Sequence, residues 1–101
     1  MIQTIIFSFL AGLFGANGIP HFVKGVTGQK HQTPFGKPSS AVVNVAWGWF
    51  NFVVAALLWR WAHPLLFSRV AFICFAVGAL VIAVFSALYW EAHPEHNAAK
   101  R

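Results

Sequence analysis

Four side chains in this sequence sit where polar groups are costly: Asn17, His21, Asn44 and Asn51 lie inside runs that are otherwise almost wholly apolar. Asn17 and His21 are four apart, so a helix puts them on one face. Asn44, Gly48 and Asn51 follow the i, i+4, i+7 spacing of a single helical stripe. Counted from the polar stretch between the two runs, Asn44 lies about 6 Å into its helix and Asn17 about 10 Å into its own, while Asn51 approaches the midplane. Asn17, His21 and Asn44 are therefore expected to meet in one leaflet of a bilayer, with Trp47 or Trp49 as a roof. Two uses of such a cluster differ in kind. Amides and imidazoles between membrane helices act as interhelical glue at about 0.6 to 2 kcal/mol per contact. Facing a cavity, the same groups line a path or binding place for a small solute or ion.

Five histidines also raise the question of a metal. His93 and His96 flank Pro94 and Glu95, giving two imidazoles and a carboxylate. Pro94 interrupts the helix that would align them, and the spacing matches none of the zinc-enzyme patterns. No metal or other cofactor is expected. Acid–base and nucleophilic catalysis are poorly served as well. Asp is absent, the only carboxylates are Glu91 and Glu95, and no Ser or Cys stands in a recognisable relation to a His–carboxylate pair. The glycine-bearing loop lacks the Gly-Lys-Ser/Thr of a phosphate loop and the strand before it. The chain is not expected to be an enzyme.

The elements that must position these groups follow from composition. Of 101 residues, 58% are apolar and only 9% charged, against about a quarter charged in soluble chains. A soluble fold of this size would lack the polar side chains to cover its surface. The long runs read instead as membrane spans, in an all-α domain occupying residues 1 to 101. The first span covers about residues 2 to 23. Pro20 removes one helical hydrogen bond there and is expected to kink the helix near its end. No Lys or Arg precedes this run, so it reads as a retained span rather than a cleaved signal. The second span covers residues 41 to 62, opened by Ser39 and Ser40 as N-cap candidates and closed by Pro64. The third covers residues 69 to 90 and, after a short turn, is expected to return antiparallel beside the second. Small residues at four-residue spacing, Ser8 and Gly12, Ala11 and Gly15, then Ala79, Ala83 and Ala87, suit close helix packing. Cys74 reads as a small packing residue. A polar tail, residues 91 to 101, follows.

Between the first two spans lies the water-seeking stretch 24 to 40, KGVTGQKHQTPFGKPSS. Its glycines and prolines read as a long cytoplasmic loop, with a turn at Thr33-Pro34-Phe35-Gly36. Lys24, Lys30 and Lys37 have no acidic partner within it, and Phe35 can dip toward the interface. With two more cations in the tail, against Arg60 and Arg69 on the other face, the loop and C-terminus are expected in the cytoplasm and the N-terminus outside. The net charge of +5 flanks apolar runs rather than lining one face, which suits lipid and not nucleic acid.

Asn17-Gly18-Ile19-Pro20-His21-Phe22 with Lys24-Gly25 and Gly28, then Thr33-Pro34-Phe35-Gly36-Lys37-Pro38-Ser39-Ser40 and Asn44-x-x-Trp47-Gly48, resembles a pattern in small uncharacterised bacterial inner-membrane proteins. The resemblance covers about a third of the chain and implies a small integral inner-membrane protein without implying an activity. In size the chain is similar to the small multidrug exporters, but it has neither their carboxylate in the first span nor their fourth helix. The expected function is a non-enzymatic structural or accessory component, assembling with itself or with a larger membrane complex. Lys24, Lys30, Phe35 and Lys37 would meet lipid or a partner. The alternative is an oligomeric channel or permease lined by the intramembrane Asn and His groups.

Overall fold

The computed structural model describes residues 1 to 93, and of Lys37 only the backbone. Three helices carry the chain: α1 (Ile2–Val26), α2 (Ala41–Trp61) and α3 (Ser68–Ala92). All three are long and apolar enough to cross a membrane. The long axis of the molecule is 45 Å, comparable to a bilayer with its headgroups.

Packing is inverted relative to a water-soluble protein. The largest side chains fully sealed from the surroundings are Asn44, Asn51 and Ser8, while Ile6, Val42, Phe72, Leu80 and Phe85 lie on the outside. On α1 the buried positions are Thr4, Ser8, Ala11, Gly12, Gly18, His21 and Gly25, every one small or polar. Helices that bury small groups and expose large apolar ones gain nothing from hydrophobic association in water. They gain close backbone contact when hydrocarbon surrounds them.

Helix α1 is the centre, with α2 packed on one side and α3 on another. The expectation that α3 lies beside α2 is therefore corrected: α3 packs along α1, and Trp59 meets Phe75 edge-on where α2 and α3 come near each other. Glycine decides this. A β-carbon on Gly12 would overlap the Phe75 carbonyl, and one on Gly78 would overlap the Phe9 carbonyl. Only bare backbone allows α1 and α3 to cross so closely. The α1–α2 contact is tight at a second place, where a β-carbon on Gly18 would lie 2.8 Å from the Gly48 carbonyl oxygen. The alanine stripe expected to serve α3 does not do so throughout, since Ala83 and Ala87 are exposed.

Two further expectations change. Helix α1 continues without interruption through Pro20 to Val26, and no kink is shown. The stretch after it is not a plain loop. It holds a two-stranded antiparallel hairpin, β1 (His31–Thr33) and β2 (Gly36–Ser39), around a turn at Pro34 and Phe35. Pairs His31–Ser39 and Thr33–Gly36 leave one extra residue on β2. Pro38 falls in that bulge, where a missing N–H breaks no regular ladder. Ser40 caps α2, its hydroxyl accepting from the Val43 N–H at 3.2 Å. At the opposite end, the Thr4 hydroxyl and the Gln3 amide donate to the Ala62 and Trp61 carbonyls, both at 2.7 Å. These bonds tie the start of α1 to the last turn of α2.

Candidate functional site

Stripe positions on α2 carry the polar groups inward: Asn44, Gly48, Asn51, Ala55 and Leu58 are its buried face. Opposite them α1 presents Asn17 and His21. The four amide and imidazole groups do meet, but as two pairs. His21 Nδ1 lies 3.0 Å from Asn44 Oδ1, and Asn17 Nδ2 donates to Asn51 Oδ1 at 3.2 Å. Asn51 gives its own amide to the Trp47 carbonyl one turn back, at 2.8 Å.

Asn44 is completely buried and does more than join two helices. Its Nδ2 donates to the carbonyls of His31 at 3.0 Å, Ser39 at 3.2 Å and Ser40 at 3.0 Å. The first two carbonyls belong to the two hairpin strands, so one side chain pins both strands to α2. A reversed amide would set its oxygen against three carbonyl oxygens, which fixes the orientation shown. The Asn44 oxygen must then accept, and His21 Nδ1 must carry the proton. The hairpin is also locked by a one-way chain of bonds. Phe35 N–H donates to Thr33 Oγ1 (3.1 Å), Thr33 donates to Ser39 Oγ (2.6 Å), and Ser39 donates to the Gly36 carbonyl (3.1 Å).

Docking the hairpin builds a cleft of about 600 Å³ at the loop end of the bundle. Asn17, Pro20 and His21 of α1 form one side, and residues 31 to 36 of the hairpin close the top. Trp47 comes from α2, and Phe85, Ser86, Tyr89 and Trp90 come from α3. Aromatic rings run along its wall: His21 to His31 and His31 to Trp90 at 4.9 Å between centroids, then Trp90 to Tyr89 at 4.8 Å. Phe35 meets Trp47 edge-on at 5.4 Å. Among the described residues no Lys, Arg, Asp or Glu lines the cleft.

Trp47 is thus the tryptophan over the cluster, while Trp49 points out and is exposed. Phe35, at the hairpin tip, is 73% exposed despite its contact with Trp47. Lys24 lies in the last turn of α1 and Lys30 precedes β1, both outside the cleft lining. His93 closes α3, its ring stacked on Tyr89 at 4.2 Å and its Nδ1 2.6 Å from the Tyr89 carbonyl oxygen. His96 lies outside the described residues. Among the described residues no three metal-binding side chains gather. Sequence reasoning missed the contribution of α3 and the role of His31. Ser86, Tyr89 and Trp90 recur on one helical face, but nothing local says that α3 packs on α1, and His31 reads as an ordinary loop residue. The chain matches no protein-family model, no curated protein and no solved structure with which it was compared.

Proposed function

We propose that this chain is a small, non-enzymatic membrane component that assembles with itself or with a larger membrane complex, using the hairpin end as its contact surface. One observation carries the reading. Asn44 uses both amide hydrogens, shared among three carbonyls in and beside the hairpin, and accepts from His21 with its oxygen, all inside the chain. Asn51 likewise accepts from Asn17 and donates to Trp47. Groups used this way hold a shape; they do not hand a solute along. The shape they hold is a fixed platform carrying the exposed Phe35, with Lys30 before it and Lys37 within it. Cations of this kind favour lipid phosphates or an acidic partner surface.

The charge count favours a hairpin end in the cytoplasm and an N-terminus outside, and the resemblance noted above favours a bacterial inner membrane. An oligomeric channel or permease is the second reading, favoured by Asn17 and His21 lining the cleft. Native mass measurement in mild detergent separates the two. A larger protein co-purifying at fixed stoichiometry, lost on Asn44→Leu, supports the accessory reading. A closed ring of copies that conducts solute in vesicles, with flux lost in Asn44→Leu or Asn51→Leu while assembly persists, supports the pore. A strict monomer refutes both. A cysteine placed at Lys30 in a Cys74→Ser background and labelled from outside intact cells would reverse the orientation.

A further inference from the structure

We infer that the cleft under the hairpin is a binding site for a neutral, membrane-soluble amphiphile whose head is a flat ring bearing a hydroxyl group. The inference rests on the membrane placement proposed above, not on the assembly. Three features of the cleft select this chemistry.

The first is size and depth. About 600 Å³ lies within the range of small-molecule pockets, about 300 to 1,000 Å³. Asn17 is nine residues from the end of α1 and Ser86 six from the end of α3, so the polar atoms sit about 9 to 14 Å inside the loop-side helix ends. A ligand reaching them arrives through lipid more readily than through water. The outward position of Phe85, an exposed lining residue, leaves that side of the cleft against hydrocarbon.

The second is polar capacity that the protein itself does not use. Asn17 gives one N–H to Asn51, and among the described residues nothing donates to its carbonyl oxygen. The Ser86 hydroxyl has no hydrogen-bond partner among them either. At this depth a polar atom without a partner is costly. The Asn17 acceptor and the Ser86 hydroxyl, both on the cleft lining, ask for a ligand that donates and accepts at one place, which is what a hydroxyl does.

The third is the wall. Rings of His21, His31, Trp90 and Tyr89 follow one another at under 5 Å between centroids, and Trp47 with Phe35 adds a second aromatic surface. Such a lining favours a flat ring. With no Lys, Arg, Asp or Glu among the described residues of that lining, an anionic or cationic head would lose its hydration without gaining a counter-charge from them.

The test uses the full chain in nanodiscs of phosphatidylcholine, titrated calorimetrically with para-octylphenol against empty nanodiscs. One saturable site per chain is expected. Octyltrimethylammonium and octyl phosphate should bind at least tenfold more weakly. Ser86→Ala, which removes one hydroxyl at nearly constant volume, should weaken the phenol about fivefold, the equivalent of one hydrogen bond. Asn17→Leu should do the same or more, with helix content by circular dichroism unchanged. Partition equal to that of empty discs means that water alone fills the cleft, and overturns the inference. So does saturable binding indifferent to both substitutions, or tighter binding of either charged probe. A chain that will not enter the disc sinks the membrane placement along with it, whereas an embedded but inert chain sinks only the ligand.

Discussion

His21 donates through Nδ1 to the Asn44 side-chain oxygen at 3.0 Å, a direction set at the far end of Asn44, where Nδ2 faces three carbonyls. The pair therefore joins α1, α2 and both hairpin strands at one buried point. Asn44→Leu removes every one of these side-chain bonds and leaves the His31 and Ser39 carbonyls without the Asn44 donor, while the Ser40 carbonyl keeps the backbone N–H of residue 44. At about 1 kcal/mol for each net hydrogen bond lost, the undocked hairpin should become roughly ten- to a hundredfold more populated. Trypsin cleavage after Lys30 in detergent-solubilised protein reports that opening, and should accelerate accordingly while the helices stay protected. Asn44→Asp, which cannot donate from its side chain, should be at least as disruptive. Unchanged cleavage in both variants would remove Asn44 from this role.

The crossing of α1 over α3 depends on two glycines with no room for a methyl group. Gly12→Ala and Gly78→Ala each drive a β-carbon into a carbonyl of the facing helix, so the helices must separate or shift. Overpacking of this kind costs about 1 to 3 kcal/mol. Gly15→Ala is the control, because its nearest neighbour outside its own helix would be the Ala55 β-carbon at 3.6 Å, an ordinary contact. Thermal unfolding in a mild detergent should show both first variants melting well below the parent and the control close to it. Equal melting in all three would mean that the crossing is not tight.

Spans and stripe were legible in the sequence because both obey local rules. Charge-free length marks a helix able to cross a membrane, and the i, i+4, i+7 spacing marks the face that Asn44, Gly48 and Asn51 share. What escaped was the order of packing. Small-residue spacing looks much the same at Ala79, Ala83 and Ala87, two of which are exposed, as at positions that do pack, because which face is used depends on a partner helix far along the chain. The hairpin escaped for a related reason. Its strands are only three and four residues long, with Pro38 and Gly36 in the second. Neither strand has the composition of one that stands alone, and Asn44, from the next helix, supplies the anchor. Pro20 lacks one helical N–H, yet α1 continues past it to Val26, with Gly18 and Gly25 packed closely against α2 on either side.

His63 has a positive φ of 50° directly after the α2 C-cap at Ala62. Glycine usually holds this place, since a side chain there crowds the following carbonyl at about 1 to 2 kcal/mol. The bend is nonetheless fixed, with the His63 carbonyl accepting from the Leu66 N–H at 3.1 Å. His63→Gly should relieve the strain and raise the melting temperature, with the added freedom of the unfolded chain offsetting part of the gain. His63→Val, branched where the backbone tolerates branching least, should lower it. The opposite order would mean that the imidazole itself holds the turn.

Ser8 offers the cleanest test of how the bundle spends its polarity. It is fully buried on α1, and among the described residues its hydroxyl has no hydrogen-bond partner, so the chain carries the desolvation of that group without a compensating bond. Its neighbours in the stripe, Ala11 and Gly12, do the same packing with no polar atom at all. Ser8→Ala keeps the small volume that close approach requires and deletes the orphan oxygen. The variant should therefore be as stable as the parent or more so, by up to about 1 kcal/mol, with oligomeric state and hairpin protection unchanged. Ser8→Val, adding bulk at a fully sealed position, should be clearly destabilising. If the alanine variant instead loses stability, the hydroxyl makes a bond inside the bundle, and its standing as an orphan is overturned.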